Sequence, residues 1–150
     1  MKSLASLVLA AAAVTLSAPA SAQFAKPEDA IKYRKSALTV MAAHFGRVAA
    51  MANGRIPFNA QAAAENAAIA ESLSKLPWAG FVEGSSTGDT KAKPEIWSDA
   101  AGFKLASEKM QGELSKLAVA AKTGNVDAIK AAVGAAGGSC KACHDNFRKD

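Results

Sequence analysis

In four separate stretches of this 150-residue chain, apolar side chains recur every three or four positions, and in none do they alternate every two. A period near 3.6 belongs to a helix with one buried face, and a period of two to a strand. The first stretch opens at Pro27-Glu28-Asp29. Pro suits the first helical position, and the acids suit the positive end of the helix dipole. Its stripe is Ile31, Arg34, Leu38, Met41, Phe45 and Val48, and Asn53-Gly54 stops it. The second starts near Asn59, carries Ala62, Asn66, Ile69, Leu73 and Leu76, and ends before Pro77. Pro94-Glu95 opens the third, with Ile96, Ala100, Phe103, Met110, Leu114 and Leu117, running to Thr123-Gly124. The fourth starts near Asn125 and carries Val126, Ile129 and Val133 toward the end of the chain. Four amphipathic helices with mostly short connections predict an all-α fold, an antiparallel four-helix bundle.

Residues 77–93, PWAGFVEGSSTGDTKAK, interrupt the pattern. Their Gly, Ser and Thr residues mark a loop, long for a helical domain, and loops of that length tend to carry function. The loop begins with Trp78 and Phe81, aromatics that are costly to leave in water.

The front of the chain has a different purpose. Met1-Lys2 is a short positive start, residues 4–16 are an apolar run, and Ala20-Ser21-Ala22 is a small-x-small cleavage site. Together they predict a secretory signal peptide over residues 1–22, cleaved after Ala22. Residues 23–150 then have the length of one domain. No second apolar run is long enough to span a bilayer, so the mature protein is expected to be exported and soluble. The formal charge of +5, less Lys2, leaves +4. The Lys and Arg residues are scattered without a dense basic block, which argues against nucleic-acid binding.

Both cysteines of the chain, Cys140 and Cys143, lie beside His144 in SCKACHDNFRK. Three readings fit C-K-A-C-H. In the first, the two thiols form thioethers with the vinyl groups of a haem, and the adjacent imidazole turns onto the iron. In the second, the cysteines are a dithiol redox pair, which usually needs a strand-helix context that is missing here. In the third they are half of a zinc site, although His44 is the only other histidine and there is no third cysteine. Export favours the first reading, because haem c is matured outside the cytoplasm. Gly137 and Gly138 precede the motif. Two glycines together make either a weak turn or a place where a flat ring approaches the backbone. Arg148 stands four residues beyond His144, on the same helical face.

At four places the sequence resembles the class II c-type cytochromes, and within them cytochrome c′. These are QFAKPEDAIKYRKSAL, LPWAGF, KPEIWSDAAGFK and the terminal SCKACHDNFRK. The resemblance covers essentially the whole mature chain. It implies one haem c per chain, held by thioethers at Cys140 and Cys143, with His144 as the only protein ligand to iron. It also implies a periplasmic and usually dimeric protein. Leu38 matches the residue over the open face of the haem, and Arg34 an Arg that accompanies a propionate. Lys35 occupies a position commonly Gln, where a charge replaces an amide near the propionates. Trp78 and Phe81 match aromatics near the haem edge. Asp89 matches a polar residue near the propionates, in a loop about two residues longer than is usual for the family. Arg148 matches an Arg near the proximal histidine.

The residues themselves agree at two of these positions. Arg34 falls in an apolar stripe, where a charge is expensive unless paired, and a propionate is a ready anion. Leu38 lies one turn further along that stripe. For a sixth iron ligand, His44 is rotated away from Leu38 and expected to be exposed, and Met41 reads as ordinary core. The expectation is a five-coordinate, high-spin haem with an apolar vacant face. Such a face suits NO, and CO more weakly, and offers no hydrogen-bond donor to bound O₂. The resemblance suggests NO buffering or detoxification. The alternative is a periplasmic electron-transfer protein with an unknown redox partner. No distal acid–base pair of the kind peroxide chemistry uses is visible, so the chain does not read as an enzyme.

Overall fold

A computed structural model describes residues 23–149, and the regular structure in them is helical. The expected signal peptide, residues 1–22, lies outside the described residues. Helix α1 spans Pro27–Ala52, with Pro27 at its start, Glu28 and Asp29 in its first turn, and Asn53 as its C-cap. Gly54 follows at φ +70°, the left-handed turn that a side chain resists. Helix α2 spans Ala60–Leu73 and is capped by Asn59, whose side chain accepts from the Ala62 amide at 2.8 Å. After a 3₁₀ turn at Pro77–Gly80 and an irregular loop come α3 (Glu95–Ser98), α4 (Ala100–Lys122) and α5 (Val126–Phe147).

Two expectations are corrected here. The third predicted helix is two: Asp99 leaves the helical region at φ −117°, ψ 58°, and its carboxylate accepts from the Gly102 amide at 3.0 Å. Asp is a favoured N-cap, so it starts α4 afresh. The predicted stripe of α2 is only partly inward: Ala62 and Leu73 pack against the core, but the stripe is not the buried face. The buried residues of α2 are Ala63, Ala67 and Ala70, whereas Ile69 and Leu76 are 41% and 43% exposed. Small side chains let a helix lie close to its neighbours.

The four long helices close a ring. Helix α1 packs on α2, α2 on α4, α4 on α5, and α5 back on α1. This is the expected antiparallel four-helix bundle. Its core joins Met41, Val48 and Met51 of α1 to the α2 alanines, to Met110, Leu114 and Leu117 of α4, and to Ile129, Val133 and Ala136 of α5. A second, smaller cluster of Ala92, Ile96 and Phe147 gathers Phe81, Trp97, Phe103 and Cys143 at one end.

The loop between α2 and α4 is tied down at both ends. At Gly80 it presses on α1, where an added Cβ would stand 2.7 Å from the Ala30 carbonyl oxygen and 2.8 Å from the Arg34 Cβ. Further on, Ala92 pairs antiparallel with Arg148 just past the end of α5.

Candidate functional site

One cavity lies between the core and the small aromatic cluster. Helix α1 contributes Arg34, Lys35, Leu38 and Met41, which follow one another at helical spacing along a single face. Helix α5 contributes Cys140, Cys143, His144 and Phe147 from one face, and Arg148 lines the cavity from the extended C-cap beyond it, not from the helical face the sequence suggested. Trp78, Phe81, Thr90, Lys91 and Ala92 come from the loop, and Ile96, Phe103 and Met110 from α3 and α4. The site residues expected from the sequence therefore meet at one place, with one exception.

That exception is Asp89. It is exposed, does not line the cavity, and pairs through its carboxylate with the Lys35 ammonium at 2.5 Å. Arg34 does line the cavity. It is 2% exposed, yet its partners are neutral. One terminal nitrogen donates to the Gly80 carbonyl at 2.7 Å and to the Ser85 hydroxyl at 2.6 Å. The other donates to the Ser85 carbonyl and to the Thr90 hydroxyl, both at 2.7 Å. The guanidinium also lies 4.5 Å from the centre of the Phe81 ring. Polar acceptors of the loop thus satisfy its terminal donors. Burial pulls the Arg34 pKa down from its usual value.

The aromatic wall is continuous. Trp78 stacks on Phe81 at 6.1 Å, Phe81 meets Phe103 edge-on at 4.9 Å, and Phe103 meets Phe147 edge-on at 5.3 Å. The Trp78 indole N–H donates to the Ser74 carbonyl at 2.6 Å, which fixes the ring. Phe103 and Met110 read as plain core in the sequence. Phe147 drew no notice there, although it stands seven residues after Cys140 and so shares its helical face. Ser85 and Thr90 sit in a loop whose composition carries no period.

Gly137 and Gly138 do not border this cavity. A Cβ at Gly137 would lie 3.9 Å from the Phe45 ring, and one at Gly138 would meet open space. Gly137 instead borders the neighbouring surface cleft, together with Cys140 and His144. His44 is half-buried rather than exposed. Its Nδ1 lies 2.8 Å from the Asn66 side-chain oxygen, between α1 and α2 and outside the cavity lining.

Both thiols are free and partly buried, and burial is the main cause that pushes each pKa up. A redox dithiol works through a lowered thiol pKa, so the geometry runs against that reading. Among the described residues no group of three His, Cys, Asp or Glu side chains is placed to hold a metal ion, so the zinc reading lacks a donor set. His144 is exposed overall, but partial burial of its ring, and then the charge of Arg148, push its pKa below the usual value, while Asp145 opposes them. A neutral imidazole is the form that can donate a lone pair to a metal. Two thiols one helical turn apart, a neutral imidazole beside the second, and an apolar cavity with cations at its rim fit a covalently held haem.

A sequence model of the family described as Cytochrome C′ matches residues 29–148. The chain belongs to the cytochrome c′ family. Cytochrome c′ of Rubrivivax gelatinosus is 57% identical over 128 residues, which is 85% of this chain and 99% of that protein. Cytochrome c′ of Alcaligenes xylosoxydans xylosoxydans is 52% identical over 127 residues, 85% of this chain and 98% of that one. The crystal structure of the Rubrivivax cytochrome c′ superimposes with a TM-score of 0.81 and covers 85% of this chain and 100% of its own. A nitric oxide complex of a variant Alcaligenes xylosoxidans cytochrome c′ superimposes at 0.80 with 49% identity, covering 85% of this chain and 99% of that one. Cytochrome c′ proteins bind haem c, so the family and the geometry at Cys140, Cys143 and His144 agree.

Proposed function

We propose that this chain is a periplasmic, high-spin c-type cytochrome that binds NO, and CO more weakly, at a vacant face of its haem. One observation carries the reading. The face of α5 bearing Cys140, Cys143 and His144 walls the same apolar cavity that Leu38 and Met41 wall from α1. When bound, the haem supplies an iron with one coordination position left for a diatomic ligand. Cys140 and Cys143 anchor it through thioethers, and His144 presents its imidazole to the metal. Arg34 and Lys35 place positive charge at one rim of the cavity, beside which propionates are stabilised. Trp78 and Phe81 pack its edge, and Asp89 acts only through Lys35. Arg148 adds to the effect of burial in lowering the His144 pKa.

Leu38 and Met41 offer no hydrogen-bond donor, so the vacant face gives no help to a polarised O₂ ligand. They also keep water out. The nitric oxide complexes of Alcaligenes cytochrome c′ variants support NO as the ligand. NO buffering or detoxification is the corresponding role. The signal-like residues 1–22 support export, with residues 23–150 as one haem-carrying domain. Among the described residues, no helix is long and apolar enough to cross a membrane. Exposed Val40 on α1 and Ile69 on α2 support a homodimer through those two helices.

The test is Leu38→Ala. Removing the isobutyl group is expected to speed NO and CO association by about tenfold, equivalent to about 1.4 kcal/mol off the entry barrier. Association rates unchanged in stopped-flow measurements would remove Leu38 from its role as a gate. One observation favours the alternative reading as an electron carrier. His144 is exposed at the bundle surface, so a cofactor held there has an edge within reach of a partner.

A further inference from the structure

The fold gathers in one place charges that the sequence keeps apart. Residues 91–93 run antiparallel to residues 147–149, with Ala92 opposite Arg148. The Lys93 amide donates to the Phe147 carbonyl at 3.0 Å, and the Lys149 amide donates to the Lys91 carbonyl at 2.7 Å. This register sets Lys91 across from Lys149, and like charges placed opposite each other destabilise a pairing. Among the described residues, Lys91, Lys93, Arg148 and Lys149 make no ion pair with a carboxylate. A surface cleft next to the bridge is lined by Lys93, Lys141, His144, Asp145, Arg148 and Lys149. Its one acid, Asp145, is held by Lys141 at 2.6 Å, and the Lys93 ammonium reaches only the Asp145 backbone carbonyl, at 2.9 Å. Asp150 follows in the sequence, outside the described residues. Among the described residues, the five cations Lys91, Lys93, Lys141, Arg148 and Lys149 share this face with one acid, Asp145.

We infer that this cationic face is the docking surface for an acidic protein that exchanges one electron with the cofactor at Cys140, Cys143 and His144. The inference rests on the haem reading above. In the exchange one electron leaves the partner's reduced centre and converts ferric iron to ferrous, and no proton or group moves. A protein fits better than the other anionic occupants. The lysines are exposed or half-exposed arms on a surface, not donors buried around an enclosed ion. The one large apolar side chain lining the cleft, Phe45, is half-buried against the core, so a membrane would find no exposed apolar anchor to take up. Two repelling lysines gain most when a broad acidic surface covers both.

The probe is flavodoxin, an acidic flavoprotein, used oxidised for binding by calorimetry and reduced as an electron donor in stopped flow. Raising salt from about 0.01 M to about 0.1 M shortens the screening length from about 30 Å to about 10 Å. That change is expected to weaken binding and to slow reduction of the ferric holoprotein by about tenfold. Lys93→Glu with Lys149→Glu should cause a similar loss at low salt. Lys122→Glu with Lys130→Glu, which changes the net charge equally at the far end of α4 and α5, should cause little. Helical circular dichroism checks that both pairs fold. Salt-independent binding and reduction, or equal losses from the two pairs, would overturn the docking face. So would micromolar binding of inorganic pyrophosphate that the first pair abolishes, or flotation with phosphatidylglycerol vesicles in a protein that ignores flavodoxin. Protein matured in a haem-attaching host but lacking a Soret band would overturn the haem reading and this surface with it. A haem protein indifferent to flavodoxin would overturn the surface alone.

Discussion

Arg34 carries more of the site's architecture than any other single side chain. Its terminal nitrogens reach Gly80, Ser85 and Thr90, so one residue of α1 holds three points of a loop about fifty positions away. Arg34→Met keeps the aliphatic length and strands those acceptors. It should cost about 3 kcal/mol in chemical denaturation, the scale of leaving buried polar groups unsatisfied. Arg34→Lys should recover less than half of this, because a single ammonium cannot reproduce the planar fork. Full stability in the Lys variant would mean that charge alone matters. The burial of Arg34 was legible in the sequence, since it interrupts an apolar stripe. Its partners were not, because Ser85 and Thr90 lie in a loop with no period to place them. Cys140, Cys143 and His144 were legible for the opposite reason: their chemistry is in the spacing itself. Asp89 was matched only by its place in a loop, and the nearby Lys35 claims its carboxylate.

Among the elements, the loop and its contact with α1 decide the shape of the cavity. Gly80 lets the backbone there approach closer than any side chain would allow. Gly80→Ala drives a methyl group to 2.7 Å from the Ala30 carbonyl oxygen. The expected loss is about 1–3 kcal/mol. A shift of Trp78 fluorescence should accompany it, as the 3₁₀ turn moves away from α1. An alanine variant with native stability and native emission would show that the loop yields freely. Helices α1, α4 and α5 were legible because their large apolar residues repeat with the helical period. The stripe of α2 was only partly legible because its buried face is alanine, which gives no strong apolar signal, while the exposed Ile69 and Leu76 do. The break at Asp99 was hidden by Ile96, Ala100 and Phe103 continuing the period across it. The capping preference of Asp was the one signal available.

At the scale of the whole molecule, two surfaces stand apart. The outer faces of α1 and α2 carry Val40 at 47% and Ile69 at 41% exposure, where we propose that a second copy of the chain packs. Val40→Glu with Ile69→Glu should convert a dimer into a monomer by light scattering at equal concentration. A mass unchanged by the pair would move the interface elsewhere. The cationic face near Arg148 was invisible in the sequence, because Lys91 and Lys149 are nearly sixty positions apart and meet only through the Ala92–Arg148 bridge. The account turns on the open iron coordination position behind Leu38. The most direct test is the visible absorption spectrum of the exported protein, ferric and then reduced, alone and with NO, CO or air. A high-spin spectrum that shifts with NO and CO and forms no stable oxygen complex is the predicted result. A low-spin spectrum indifferent to all three gases would contradict it and point to a sixth ligand such as Met41.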